Sequence, residues 1–151
     1  MKNRNTPSKR ATIHVVAVLA SWCFSAVAAV GQDSAGHATV WQRWEQTLTA
    51  ERPYVNPYRD VTLRATFTGP GGRRFAGYGF WDGDRTFKVR AAFPAPGEWT
   101  WETSCSDAAD RGLHGRRGRV TVTPYAGENP LYRHGFLRVG DNRRHVAHAD
   151  G

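Results

Sequence analysis

The feature that most constrains the fold of this chain is a two-residue alternation of apolar and polar side chains. It is clear in the segment 61–67 (VTLRATF) and returns at 87–93, 98–104 and 119–123. Successive side chains of a β-strand point to opposite faces, so this period predicts strands that bury one face. No window of useful length has the 3.6-residue apolar period of a helix. The alternation therefore predicts a protein built from strands.

Turn residues separate these segments and support the same interpretation. Weaker alternation is found at 40–46, 74–80, 135–139 and 145–149, and glycine or proline turns occur at 69–72, 82–83, 94–97 and 140–142. Glycine permits positive φ and proline presets φ, so each turn predicts a chain reversal. The Asp-Gly pair at 82–83 is typical of a two-residue hairpin turn. We therefore predict an all-β, antiparallel β-sandwich of the immunoglobulin or fibronectin type, followed by a truncated hairpin.

The first 31 residues have the pattern of a secretory signal peptide. Four basic residues precede an apolar run at 13–24, and small residues follow it up to Gly31. This order predicts cleavage between about Ala28 and Gln32, and hence a secreted or periplasmic product. A retained membrane anchor is the alternative, but no charged stop follows the run. We expect no stable membrane insertion after cleavage.

Charge and cysteine content narrow the classes of partner. The chain has 21 Lys and Arg, 13 Asp and Glu and a net charge of +8. Four of the basic residues lie in the predicted signal peptide, so the remainder carries 17 basic against 13 acidic residues. Because this balance is modest and the product is exported, we expect no nucleic-acid partner. Only Cys105 remains after cleavage, so no internal disulfide is expected.

The rest of the chain divides into a sandwich and a short tail. The alternating segments predict a sandwich over 39–125, and about 120 residues are enough for the core of one domain. The segment 126–134 contains Gly127 and Pro130 and predicts a linker. A hairpin follows at 135–151.

The acidic residues do not form a recognisable catalytic or metal site. Asp82 and Asp84 stand at alternate positions of a loop, as in calcium sites, but the ion prefers six to eight oxygen ligands. A hairpin turn explains these two residues better. Glu98 and Glu102 share a strand face with Cα atoms about 13 Å apart. Glycosidase carboxyl pairs are about 5 to 9.5 Å apart, so we interpret both glutamates as solvated.

The remaining reactive side chains also lack partners in the sequence. His145 and His148 are three residues apart in a predicted strand, so they point to opposite faces and cannot share a metal. Cys105 belongs to no motif and is typical of a buried thiol. We therefore predict no catalytic residue, no metal and no cofactor in this chain.

Two groups of side chains are candidates for carbohydrate binding. Trp81, Tyr54 and Tyr58 lie outside the strongest alternation and could stack on sugar rings, although packing within the protein explains them as well. Arg116 and Arg117 lie in the glycine-rich segment RGLHGRRGR and could bind an acidic polysaccharide such as a pectin. A solvated charge run is the other interpretation of this segment.

Several sequence phrases together resemble a known family. They are TVWQRWEQTLTA, YVNPYRDVTLRATFTGPGG, GYGFWDGDRTFKVRAAFPAPGEWTWETS and DRGLHGRRGRVTV, in that order. They resemble the N-terminal β-sandwich family known as domain of unknown function 5060. In that family the sandwich precedes a (β/α)-barrel catalytic domain of the apiosidase-like glycoside hydrolases.

The resemblance implies a function for the longer parent protein, but it implies no catalytic residue within this chain. The tail NPLYRHGFLRVGDNRRHVAHADG resembles the opening hairpin of the catalytic domain, so 135–151 would begin a truncated glycoside-hydrolase-like domain. The family's catalytic carboxylates lie in the barrel, beyond Gly151. The resemblance thus implies a non-catalytic accessory sandwich whose main partner is its own catalytic barrel. A free-standing carbohydrate-binding or adhesion module is the alternative.

Overall fold

Nine short strands make up nearly half of the described chain. The computed structural model describes residues 34–150, so the predicted signal peptide lies outside the described residues. The strands are β1 Ser34–Thr39, β2 Arg43–Thr49, β3 Leu63–Thr68, β4 Arg74–Trp81, β5 Thr86–Ala92, β6 Gly97–Cys105, β7 Arg117–Thr123, β8 Leu137–Val139 and β9 Val146–His148. Two short helices, α1 Pro57–Asp60 and α2 Pro130–His134, and a 3-10 turn, Pro70–Gly72, lie between them.

Strands β1 to β7 form an immunoglobulin-like sandwich whose two sheets share β4. The first sheet has the order β1-β7-β6-β3-β4 and the second the order β4-β5-β2. Residues 74–78 of β4 pair with β3, whereas 79–81 pair with β5. All neighbouring strands are antiparallel except β1, which runs parallel to β7. The predicted all-β, antiparallel sandwich is confirmed, with one parallel pair that the sequence did not indicate.

The predicted inward side chains form the core. In the four strongly alternating segments, eleven of these side chains are buried: Leu63, Ala65, Phe67, Phe87, Val89, Ala91, Phe93, Trp99, Trp101, Val120 and Val122. Val61, which was also predicted to point inward, is only partly buried and packs against the core. Their outward neighbours, such as Arg64 and Glu98, are exposed. At the point where β4 changes sheets, a Cβ on Gly79 would lie 2.5 Å from Leu63 Cδ2, so only glycine fits there.

Two strands differ from the sequence prediction at the start of the sandwich. The strand predicted from the weak alternation at 40–46 begins later, at Arg43, and is β2. Val40 to Gln42 instead form a turn in which Trp41 has a φ of 64°. Strand β1 was not predicted at all. Its sequence, SAGHAT, has no large apolar side chain, and it joins the sheet by pairing its backbone with β7.

The predicted hairpin at 82–83 is confirmed, but its two-residue length is wrong. The connection between β4 and β5 spans four residues, 82–85, with φ of 103° at Gly83 and 44° at Asp84. The backbone N–H of Asp82 donates to the carbonyl oxygen of Thr86 at 2.8 Å, and Thr86 N–H donates to Gly83 at 2.8 Å. These two bonds close a loop longer than the Asp-Gly pair alone indicates.

The residues after the sandwich are folded against it. The predicted linker contains α2, where the Asn129 side chain accepts a hydrogen bond from Leu131 N–H at 3.0 Å. Strands β8 and β9 then form the expected hairpin, joined through 140–145 rather than the three residues predicted. The Phe136 ring packs edge-on against Trp41, with centroids 5.2 Å apart.

The two core tryptophans of β6 allow a matched test of the packing. Trp99 donates its indole N–H to Ala95 O at 3.0 Å, whereas the buried Trp101 Nε1 has no partner among the described residues. Trp99→Phe loses a hydrogen bond, but Trp101→Phe removes an unsatisfied buried donor. We therefore expect Trp99→Phe to lower the free energy of unfolding by about 1 to 3 kcal/mol more than Trp101→Phe. Equal losses in urea unfolding of the two variants would contradict this.

Candidate functional site

Trp81 lies at the end of β4 and is hydrogen-bonded to the turn that follows it. Its indole N–H donates to the carbonyl oxygen of Asp84 at 2.9 Å. It pairs across the strands with the buried Phe87, and 42% of its surface is exposed. The ring therefore closes one end of the second sheet and keeps one side open to solvent.

Tyr54 is held by two carboxylates. Its hydroxyl lies 2.9 Å from Asp110 Oδ2 and 3.0 Å from Asp107 Oδ2. Asp110 is 1% exposed, and its Oδ1 accepts hydrogen bonds from the backbone N–H groups of Glu51 and Gly112. We call Tyr54, Asp107 and Asp110 the Tyr54 cluster. It joins the segment after β2 to the loop after β6, so these polar atoms have a structural role.

The Tyr54 cluster is further fixed from both sides. Arg52 forms an ion pair with Asp107, and its guanidinium carbon lies 5.9 Å from the centroid of the Tyr54 ring. The Tyr54 ring also packs edge-on against Phe87, with ring centroids 6.3 Å apart. Burial, followed by the hydrogen bond to Asp110, raises the pKa of Tyr54. The neutral hydroxyl is thus the form that the fold favours.

Tyr58 and the two arginines have different surroundings. Tyr58 lies on α1 and is 84% exposed. The Arg117 side chain forms two hydrogen bonds to Glu102 Oε1, at 3.1 and 2.7 Å, on the outer face of the first sheet. Arg116 instead lines a recess of about 490 Å³ between β2 and the loop before β7, together with Arg111. The five predicted carbohydrate-binding residues therefore do not share one set of contacts.

The acidic residues flagged in the sequence have separate roles. Asp82 forms an ion pair with Lys88 at 2.6 Å, and Asp84 belongs to the turn. Glu98 and Glu102 are both exposed on the outer face of β6. Within residues 34–150, no group of three His, Cys, Asp or Glu side chains could hold a metal ion. Cys105 is a buried free thiol, and burial raises its pKa.

Two histidines meet where the sequence did not indicate a pair. His145 lies in the turn between β8 and β9, whereas the His148 ring packs at a tilt against the His134 ring, with centroids 5.3 Å apart. His134 Nδ1 is also 2.8 Å from Asp150 Oδ2, and this hydrogen bond lowers the pKa of Asp150. The pair joins α2 to the end of β9. Sequence spacing could not reveal it, because 14 residues separate the two rings.

The hairpin exposes an apolar face. Leu137 and Val139 are two residues apart on β8 and therefore lie on the same face. Val146 of β9 pairs directly with Val139. These three side chains are 56%, 65% and 63% exposed. We call them the hairpin face. In the part of the chain that the structure covers, neither helix is long and apolar enough to cross a membrane.

These features define an immunoglobulin-like β-sandwich domain with an appended hairpin. Residues 37–106 match the family described as domain of unknown function (DUF5060). The predicted resemblance to this family is therefore confirmed over these residues. A search of curated proteins found no match.

Solved structures give three similarities. The first is a "putative glycoside hydrolase" from Bacteroides vulgatus ATCC 8482, with 32% identity, a TM-score of 0.62, and coverage of 77% of this chain and 20% of that protein. The second is CopC from Methylosinus trichosporium OB3b, with 12% identity, a TM-score of 0.43, and coverage of 64% and 91%. The third is a human Ig-like domain, with 18% identity, a TM-score of 0.34, and coverage of 80% and 93%. This chain thus spans about a fifth of the Bacteroides protein.

Tyr54→Phe tests the Tyr54 cluster. The variant keeps the ring but removes a donor to Asp110, so we expect the free energy of unfolding near pH 7 to fall by about 1 to 2 kcal/mol. Because the pKa of Tyr54 is raised on folding, its contribution is complete below the ordinary tyrosine pKa of about 10 and is lost as pH rises through the folded value. The difference between the two proteins should therefore shrink above about pH 10.

Urea unfolding of both proteins across the alkaline range measures this difference. Burial also raises the pKa of Cys105, whose charge contributes to the raised pKa of Tyr54, so the comparison is repeated with Cys105→Ser in both proteins. A difference that stays constant as pH rises would contradict the role given to the Tyr54 hydroxyl.

Proposed function

We propose that this chain is the non-catalytic N-terminal accessory sandwich of a secreted glycoside hydrolase that acts on polysaccharide. The catalytic barrel is absent from this chain and would follow Gly151. The proposal includes export through the signal peptide at 1–31, with a secreted or periplasmic location. Its main partner would be the catalytic domain of the same polypeptide.

The observation that carries the proposal is the similarity to the Bacteroides protein. An identity of 32% over 77% of this chain supports a common domain. Because that domain occupies only a fifth of the longer protein, most of the relative's length is available for catalysis by other domains. The DUF5060 match at 37–106 lies within the sandwich and supports the same relationship.

The chemistry of the described residues is consistent with an accessory role. Glycoside hydrolysis commonly uses two carboxyl groups on either side of a cleft. Glu98 and Glu102 lie on an open sheet face, and Asp110 is buried with both oxygens hydrogen-bonded. These positions support a role in which another domain of the same protein carries out the reaction.

The hairpin face supports a docked domain. An isolated two-stranded hairpin is marginally stable, and its apolar side chains gain from being covered. Phe136 anchors the hairpin to Trp41, while Leu137, Val139 and Val146 remain exposed. The proposed occupant of this face is the catalytic domain that continues the chain, because the hairpin is the segment that leads into it.

Activity measurements test the proposal directly. We expect the 151-residue chain to release no reducing sugar from a panel of plant and microbial polysaccharides, and a longer gene product that continues past Gly151 to do so. The accessory assignment would be wrong if the short chain turned over substrate and lost that activity in Glu98→Gln or Asp82→Asn. A stop codon directly after Gly151 would remove the proposed catalytic domain.

Val139→Lys tests the docking of the hairpin face. In the 151-residue chain Val139 is 65% exposed, so we expect the variant to cost less than about 1 kcal/mol. In the longer product the lysine would enter a covered apolar contact and lower stability by about 2 kcal/mol or more. The matched control is Val55→Lys, at a fully exposed valine outside the hairpin. Identical melting of the two variants in the longer product would argue against docking.

A free-standing carbohydrate-binding or adhesion module is the second candidate. The observation that favours it is on the outer face of the first sheet, where Arg74 and Arg119 form no salt bridge with any described residue and need no catalytic domain to bind a ligand. Activity of the longer product separates the two candidates, because a free-standing module would acquire no catalysis from the residues that follow.

A further inference from the structure

A groove of about 600 Å³ crosses the outer face of the first sheet. The strand register sets one row of its side chains across β7, β6, β3 and β4: Arg119, Thr100, Thr68 and Arg74. With strands about 4.8 Å apart, the Cα atoms of the two arginines are about 14 Å apart. The row therefore has a guanidinium at each end and two hydroxyl groups between them.

The next row lies two residues along each strand and is partly neutralised. Arg117 pairs with Glu102 there, and Thr66 follows on β3. The lining of the groove thus holds three arginines against one glutamate. Within residues 34–150, neither Arg74 nor Arg119 forms a salt bridge. Two positive charges of the groove remain unmatched.

The outer face of the second sheet gives an internal comparison. Lys88 lies 2.6 Å from Asp82 and 3.3 Å from Glu45, and Arg90 lies 2.5 Å from Glu45. The cations of β5 on that face are therefore matched by carboxylates, unlike those of the first sheet. The unmatched charge of Arg74 and Arg119 therefore distinguishes the groove from the outer face of β5.

We propose that the groove binds an acidic polysaccharide, with Arg74 and Arg119 contacting its carboxylates and Thr100 and Thr68 contacting its hydroxyl groups. Guanidinium groups bind carboxylates through paired, charge-assisted hydrogen bonds. Threonine hydroxyls both donate and accept, as the hydroxyl groups of a sugar require. A polymer with carboxylates at intervals can contact both arginines at once. This site belongs to the sandwich alone and does not depend on the catalytic domain proposed above.

An aromatic side chain extends the same face. On β4, Tyr78 shares the outward side with Arg74, because four residues separate them in a strand. Tyr78 is 69% exposed, and the Arg64 guanidinium lies 5.7 Å from its ring centroid. A sugar ring can stack on such an exposed ring beside the groove. The groove itself has no exposed aromatic side chain in its lining, which disfavours the base stacking that single-stranded nucleic acids use.

Affinity gel electrophoresis of the whole chain tests the proposal with three polymers. Polygalacturonate carries the carboxylates, its fully methyl-esterified form has the same sugar backbone without charge, and polyglutamate carries carboxylates without sugar. We expect retardation by polygalacturonate and little or none by the other two. Retardation that is equal in polygalacturonate and polyglutamate would overturn the proposal in favour of general anion attraction, and equal retardation by the methyl ester would exclude a role for the arginines.

Matched double variants assign the site. Arg74→Gln with Arg119→Gln should weaken polygalacturonate binding by about tenfold or more, because each loses a charge-assisted contact. Arg43→Gln with Arg144→Gln removes the same charge from exposed positions outside the groove and should change binding less than about twofold. Thr100→Val keeps the strand shape and should weaken binding by about threefold or more. Equal losses in both double variants would overturn the assignment, and thermal unfolding confirms that all variants fold.

Discussion

The sandwich depends on the packing of aromatic rings around Phe93. This side chain is fully buried and lies next to four rings: Trp44, Phe67, Phe75 and Trp99, with centroids 5.3 to 6.0 Å away. The four rings come from β2, β3, β4 and β6, so they include strands of both sheets. Burial of large aromatic side chains is the main favourable contribution available to a domain of this size without a disulfide. The rings therefore hold the two sheets together.

Because the interior is apolar, the polar chemistry is confined to loops and outer faces. Two polar residues are exceptions: Thr103, whose buried hydroxyl donates to Leu113 O at 2.6 Å, and Asp110, whose oxygens accept hydrogen bonds from backbone N–H groups and the Tyr54 hydroxyl. The polar atoms of Asp110 are thereby committed to joining two loops. The surfaces left for recognition are the groove on the first sheet and the hairpin face, and the two share no residue. Each surface can therefore be tested with its own set of variants.

The proposed accessory role and the proposed binding in the groove rest on different surfaces of one fold. An accessory domain next to a catalytic domain needs a contact surface, and the hairpin face offers apolar side chains for that purpose. Polysaccharide binding needs polar and charged side chains accessible to a long chain, which the open sheet face supplies. Arg119 and Arg74 are 45 residues apart in the sequence, so only the pairing of strands brings them together in the groove.

The sequence by itself determined the sandwich, because strand alternation is a local property that each segment carries in its own side chains. It indicated which side of β3, β5, β6 and β7 is buried, and the family phrases identified the domain. Only the tertiary structure revealed β1, whose pairing depends on backbone contacts with β7, and the four-residue turn at 82–85. It also decided the partners of Tyr54 and Arg117. Those contacts join residues far apart in the chain, and no local pattern encodes which side chains meet across a sheet.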